Sequence, residues 1–131
     1  MDKYLEPRRH LELEGAYNVR DVGGYPTSDG RRTRWKTFLR ADNMNNLTPA
    51  SQTALIEYGL RSVIDLRGTA GIEKEPNVFA NSSVVAYYNH NMNGDEPLPE
   101  LEDFPEFSVP SDASMMSYSR QLKFRRAQII E

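Results

Sequence analysis

The run Leu60-Arg-Ser-Val-Ile-Asp-Leu-Arg67 limits the possible folds of this chain more than any other stretch. Val63, Ile64 and Leu66 form a short apolar, partly β-branched segment of the kind that makes a buried strand in a parallel sheet, with Asp65 and Arg67 at its end. Upstream, Thr48-Pro49 is a helix start, because threonine caps free N–H groups and proline fits the first turn. Gly59 is placed to end that helix in a left-handed conformation. The predicted unit is therefore helix, glycine turn, buried strand. In open α/β sheets ligands bind beyond the carboxyl ends of the strands, which makes Asp65, Arg67 and Gly68-Thr-Ala-Gly71 the expected rim of a site. The same two residues also suit a plain ion pair beneath a loop, the commoner use of such a pair.

A chain of 131 residues suits one domain, expected to span 1–131. Its net charge of −3 argues against a general nucleic-acid binder, although Arg31, Arg32, Arg34 and Lys36 make a local basic cluster able to attract an anion. There are no cysteines, hence no disulfide, no thiolate metal site and no cysteine nucleophile. No apolar run is long enough to span a membrane and the amino terminus lacks a signal-peptide pattern, so the expected location is cytoplasmic. The mean hydropathy of −0.68 is low for an isolated domain and suggests long polar loops or a piece of something larger.

Residues 1–12 show no clear period and read as a loosely held arm. Gly15 to Tyr25 reads as a tight loop anchored by Val19 and Val22, in which Arg20 can hold Asp21, Asp65 or a ligand anion. Ser28-Asp29-Gly30 signals a turn, and Arg34 to Leu39 returns from it as a hairpin or small β-excursion. In the helix after Thr48, Leu55 and Tyr58 with Ala54 and Ile56 give an apolar stripe for packing on a sheet. Ile72 to Glu75 lies too close to Pro76 to make much helix, and Val84 to Tyr88 is the next strand. The stretch 95–112 holds seven acidic residues, four prolines and no Lys or Arg, which predicts a stiff acidic loop. Met115, Tyr118, Leu122 and Ile129 place an amphipathic helix at the end, still running where the sequence stops.

Four segments in register resemble one family: Asn18-Val-Arg-Asp-Val-Gly-Gly-Tyr25, Phe38-Leu-Arg-Ala-Asp42, Leu47-Thr-Pro49, and Tyr58 to Arg67 followed by Glu73. Between Leu13 and Asn77 the chain resembles the amino-terminal half of microbial tyrosine phosphatases related to the dual-specificity type. The resemblance implies an α/β fold, a parallel-centred sheet flanked by helices, here incomplete. It also implies hydrolysis of phosphate monoesters through a cysteinyl-phosphate, on a His-Cys-x-x-Gly-Lys-x-Arg-Thr loop that cradles the phosphate while a carboxylic acid protonates the leaving oxygen. No cofactor is implied.

This sequence departs from that pattern in having neither the cysteine nor the loop, so the chain alone is expected to be inert. The expected general acid lies in Asn89 to Glu96, with Asp95 the first candidate and Glu96 the second. Arg20, Asp21, Arg40, Asp65 and Arg67 match family positions expected to support the pocket floor, with Arg20 or Arg40 expected to donate to Asp65. Implied partners are a phosphorylated protein or lipid substrate for the complete enzyme, and a missing carboxyl-terminal half or a second copy of the chain. The competing reading is a non-catalytic phosphatase-like module that binds proteins.

Overall fold

Capping chemistry fixes both ends of the first helix, α1 (Pro49–Tyr58), in the computed structural model of the chain. Thr48 Oγ1 accepts from Ser51 N at 3.3 Å. At the other end Gly59 adopts φ 125°, its N–H reaches Ile56 O, and Leu60 N donates to Leu55 O at 2.9 Å, the paired bonds of a Schellman stop. The stripe that α1 buries is Ser51, Leu55 and, partly, Tyr58 at i, i+4 and i+7, whereas Ala54 of the expected stripe is exposed. Ser51 faces inward because its hydroxyl accepts from Glu14 N at 2.8 Å.

The structure describes residues 6–92 with Gly94 and Asp95. Glu96, the rest of the acidic stretch to Asp112 and the expected final helix lie outside the described residues. In chain order a 3-10 turn (Pro7–Arg9) precedes β1 (His10–Leu13), β2 (Ala16–Asp21), β3 (Leu39–Arg40), α1, β4 (Ser62–Asp65), α2 (Thr69–Lys74) and β5 (Ala86–Asn89). They fall into two units, one of residues 6–63 and 76–87, the other of residues 64–75 and 88–95 as far as described.

The first unit carries an antiparallel sheet in the order β1-β2-β3. Two expectations change here. Much of the supposed arm is ordered: Arg9 is 3% exposed, its Nε donates to Gly23 O at 2.8 Å and its guanidinium lies 3.6 Å from the Tyr25 ring centroid. An arginine anchor gives no apolar period, which is why the segment read as loose. Residues 16–21 are a strand rather than part of a loop, because β1 and β3 supply its ladder on both sides. The hairpin reading agrees with the bridge Pro26↔Arg32 around the 28–30 turn. The paired glycines that follow β2 lie against Trp35, where a Cβ on Gly24 would meet the ring at 2.7 Å. Ala16, Val19, Met44, Leu47, Leu55, Val63, Phe79 and Val85 form the core of this unit.

β4 and β5 form a two-stranded sheet. Ala86 N donates to Arg61 O and His90 N to Asp65 O, both at 2.9 Å, so the partner numbers rise together and the pair is parallel. The chain is thus mixed α/β, and its parallel element among the described residues is this pair. β4 does not read as buried on both faces: Val63 and Asp65 are buried, while Ile64 is 66% and Leu66 43% exposed. The second unit also contains α2, six residues long despite Pro76, which begins at Thr69, earlier than the Ile72 start considered from sequence.

Candidate functional site

Asp65 and Arg67 meet at the end of β4, in the second unit. Arg67 presents its fork to the carboxylate, with Nε donating at 2.9 Å to Oδ1 and an Nη at 2.7 Å to Oδ2. The Arg67 backbone N–H adds a third donor at 3.1 Å. The other Nη donates to Glu75 O at 2.8 Å, tying the end of α2 to the strand end. Asn89 Nδ2 then reaches Asp65 O at 2.8 Å and Arg67 O at 3.0 Å from β5. The donor expected for Asp65 was Arg20 or Arg40; the observed donor is Arg67, because a residue two positions on returns its side chain over the turn. Arg20 instead donates from Nε to Asn18 Oδ1 at 2.6 Å.

Asp95, the first candidate acid, is exposed in the same unit. Its Oδ1 accepts from Thr69 N at 3.1 Å and from Asn91 Nδ2 at 2.8 Å, and its Oδ2 from Thr69 Oγ1 at 2.9 Å. These bonds place the carboxylate over the first turn of α2, where Gly68 offers no side-chain cap. Asn91 Oδ1 is buried and has no hydrogen-bond partner among the described residues.

Asp21 is the organising carboxylate of the first unit. Fully buried, it accepts from Gly23 N at 2.7 Å, Lys36 N at 2.8 Å and the Tyr58 hydroxyl at 2.7 Å. Lys36 adopts φ 55° there, and its ammonium stands 4.9 Å from the centroid of the Tyr58 ring. Burial, followed by the Asp21 hydrogen bond and charge, pushes the Tyr58 hydroxyl up to about 12. Arg20 and Arg40 are exposed on adjacent strands and directly opposed in register. In the basic hairpin Arg31 pairs with Asp29 at 2.6 Å and draws its carboxyl below the usual range, while Arg32 donates to Gly24 O at 2.8 Å.

A profile of the tyrosine phosphatase family matches residues 11–130. The chain belongs to the tyrosine phosphatase family. The match takes in the four segments of the resemblance and continues well past Asn77, where that resemblance ended. No curated protein matches the chain. Within this family member, sequence reasoning passed over the Tyr58 hydroxyl as a polar partner. Tyr58 counted only as part of an apolar stripe, although a tyrosine offers both a ring to bury and a hydroxyl to pair. Asn89, the last residue of β5, and Asn91 just beyond it stand in the polar stretch 89–96 that the sequence pointed to.

Proposed function

We propose that this chain is scaffold for a phosphate-monoester hydrolase and that by itself it does not turn substrate over. The observation that carries the reading is the coincidence of membership in the tyrosine phosphatase family with a sequence containing no cysteine. Family chemistry as the resemblance implies it passes through a thiolate, and this chain has none to offer, so a cysteinyl-phosphate would need a nucleophile from another polypeptide segment. In this reading Asp65 and Arg67 of the second unit support the pocket floor, and Asp95 of the same unit is the general acid once released from Thr69.

The test is a turnover measurement with an aryl phosphate, run on the homogeneous chain and again after mixing with a peptide bearing the His-Cys-x-x-Gly-Lys-x-Arg-Thr loop. Loss of the nucleophile from a hydrolytic constellation costs about six orders of magnitude in kcat, so the chain alone should match the buffer blank. A vanadate-sensitive rate from the chain alone would overturn the proposal.

A second reading, a non-catalytic binding module, is favoured by apolar side chains left open to solvent: Ile64 at 66%, Leu66 at 43% and Tyr88 at 59% exposure. Light scattering distinguishes the two in solution. A chain that associates through this face, and becomes monomeric on Ile64→Lys, supports the module; association and activity gained only with the loop peptide support the scaffold.

A further inference from the structure

The register of the β1-β2-β3 sheet sets His10 opposite Arg20 and Arg20 opposite Arg40. Directly opposed residues of antiparallel strands leave the same face with Cβ atoms about 5 Å apart, so the three side chains form one row across the sheet. All three are exposed. Asn18 shares their face two residues before Arg20, and its Oδ1 holds Arg20 Nε, which leaves both terminal nitrogens of that guanidinium without an acceptor among the described residues. The His10 ring nitrogen Nε2 lies 3.1 Å from Tyr17 O. Neither Arg20 nor Arg40 is ion-paired among the described residues, where the arginines in ion pairs are Arg8, Arg31 and Arg67. Like charges placed opposite one another destabilise a sheet, and an anion shared between them removes that cost.

We infer that Arg20 and Arg40, with His10 at the end of the row, form a subsite for a phosphate dianion on the solvent face of this sheet. Two guanidinium forks side by side suit the several oxygens of a phosphoryl group, and each bond is charge-assisted. Family membership enters only in the choice of phosphate over other dianions. Binding here requires no thiolate and no turnover.

The experiment follows backbone amide and arginine Nε resonances of the isotopically labelled chain while inorganic phosphate is added, with sodium chloride at matched ionic strength as the control. Phenyl phosphate in a parallel titration separates a free anion from the phosphoryl group of an ester. The expected result is a saturable shift centred on His10, Arg20 and Arg40. Arg20→Gln and Arg40→Gln should each weaken it about three- to five-fold, the scale of one exposed charge pair, and the double variant should abolish saturation. In phosphate-free, low-salt buffer Arg40→Gln should unfold at higher urea than the parent, and phosphate should stabilise it less than it stabilises the parent, a pattern that loss of a structural contact would not give. Shifts reproduced by chloride, shifts centred elsewhere, or undiminished affinity in the double variant would overturn the inference. No arm reads catalysis, so failure here and failure of the scaffold reading are separate results.

Discussion

The Tyr58 hydroxyl donates to Asp21 Oδ2 across 2.7 Å, joining the last residue of α1 to the last residue of β2. This bond completes a set of three donors around a carboxylate that no solvent reaches. Tyr58→Phe keeps the ring and removes one donor, and should cost about 1–3 kcal/mol, the usual result of leaving a buried acceptor short of a partner. Urea unfolding at neutral pH measures it.

The same bond gives alkaline sensitivity with a definite sign. An unfolded tyrosine ionises near about pH 10, whereas the folded hydroxyl keeps its proton to about 12. The folded chain therefore binds the extra proton between those values, so the stabilisation is whole below the unfolded value and is lost as pH rises through the folded one. The parent should lose stability more steeply than Tyr58→Phe as the pH is raised into that window. Parallel slopes for the two proteins would show that Tyr58 does not carry the effect.

At the end of β4 the Asp65 side chain is 5% exposed and that of Arg67 26%. Arg67→Gln strands a buried carboxylate and should cost about 3 kcal/mol, toward the lower end for a broken buried pair because one partner is partly solvated. Arg67→Lys should recover part of this, since an ammonium restores the charge but not the fork that reaches both Asp65 and Glu75 O. Equal losses for Gln and Lys would mean that geometry alone, not charge, is at stake.

These residues show what sequence can and cannot reveal. The ends of α1 were legible because capping is local: threonine, proline and glycine act within a turn of where they stand. The placing of Asp65 and Arg67 at the strand end was legible for the same reason, two polar groups closing an apolar run. Their ion pair was one of the two readings the sequence allowed, whereas the expected donation from Arg20 or Arg40 to Asp65 is replaced by Arg67 because of the path of the turn after β4. β2 was hidden because its residues, Ala-Tyr-Asn-Val-Arg-Asp, bury positions 16, 19 and 21 without strict alternation, next to a shift in the β1 register. Ile64 and Leu66 were misplaced because an apolar run of that length fits a strand buried on two faces as well as on one. Tyr58 and Asp21 stand 37 residues apart, and only the tertiary fold brings them together.

Two glycines separate backbone strain from steric exclusion. Gly15 has φ 92°, and a Cβ there would stand 1.9 Å from Asn46 O, a backbone atom. Gly30 has φ 80° with nothing near its missing Cβ. Gly30→Ala should therefore cost only about 1–2 kcal/mol for the left-handed conformation. Gly15→Ala adds a clash that requires backbone movement and should exceed about 4 kcal/mol, enough to unfold a marginal domain. Thermal unfolding of the two variants side by side gives the comparison, and similar midpoints would refute the close approach of residues 15 and 46.

Asp95 supplies the cap that α2 lacks from its own Gly68. Thr69→Val deletes the hydroxyl donor to Oδ2 but keeps the backbone donor to Oδ1, while Asp95→Ala removes both acceptors. If the carboxylate holds the first turn of α2, amide exchange at Thr69 should quicken about ten-fold in Asp95→Ala, the local equivalent of losing an N-cap worth about 1.4 kcal/mol. Thr69→Val should quicken it less. Global stability should move little in either variant, because both side chains are exposed. The exchange rate also measures how firmly Asp95 is held. Unchanged exchange at Thr69 in Asp95→Ala would show that the bonds do not form in solution, leaving Asp95 free of α2 from the start.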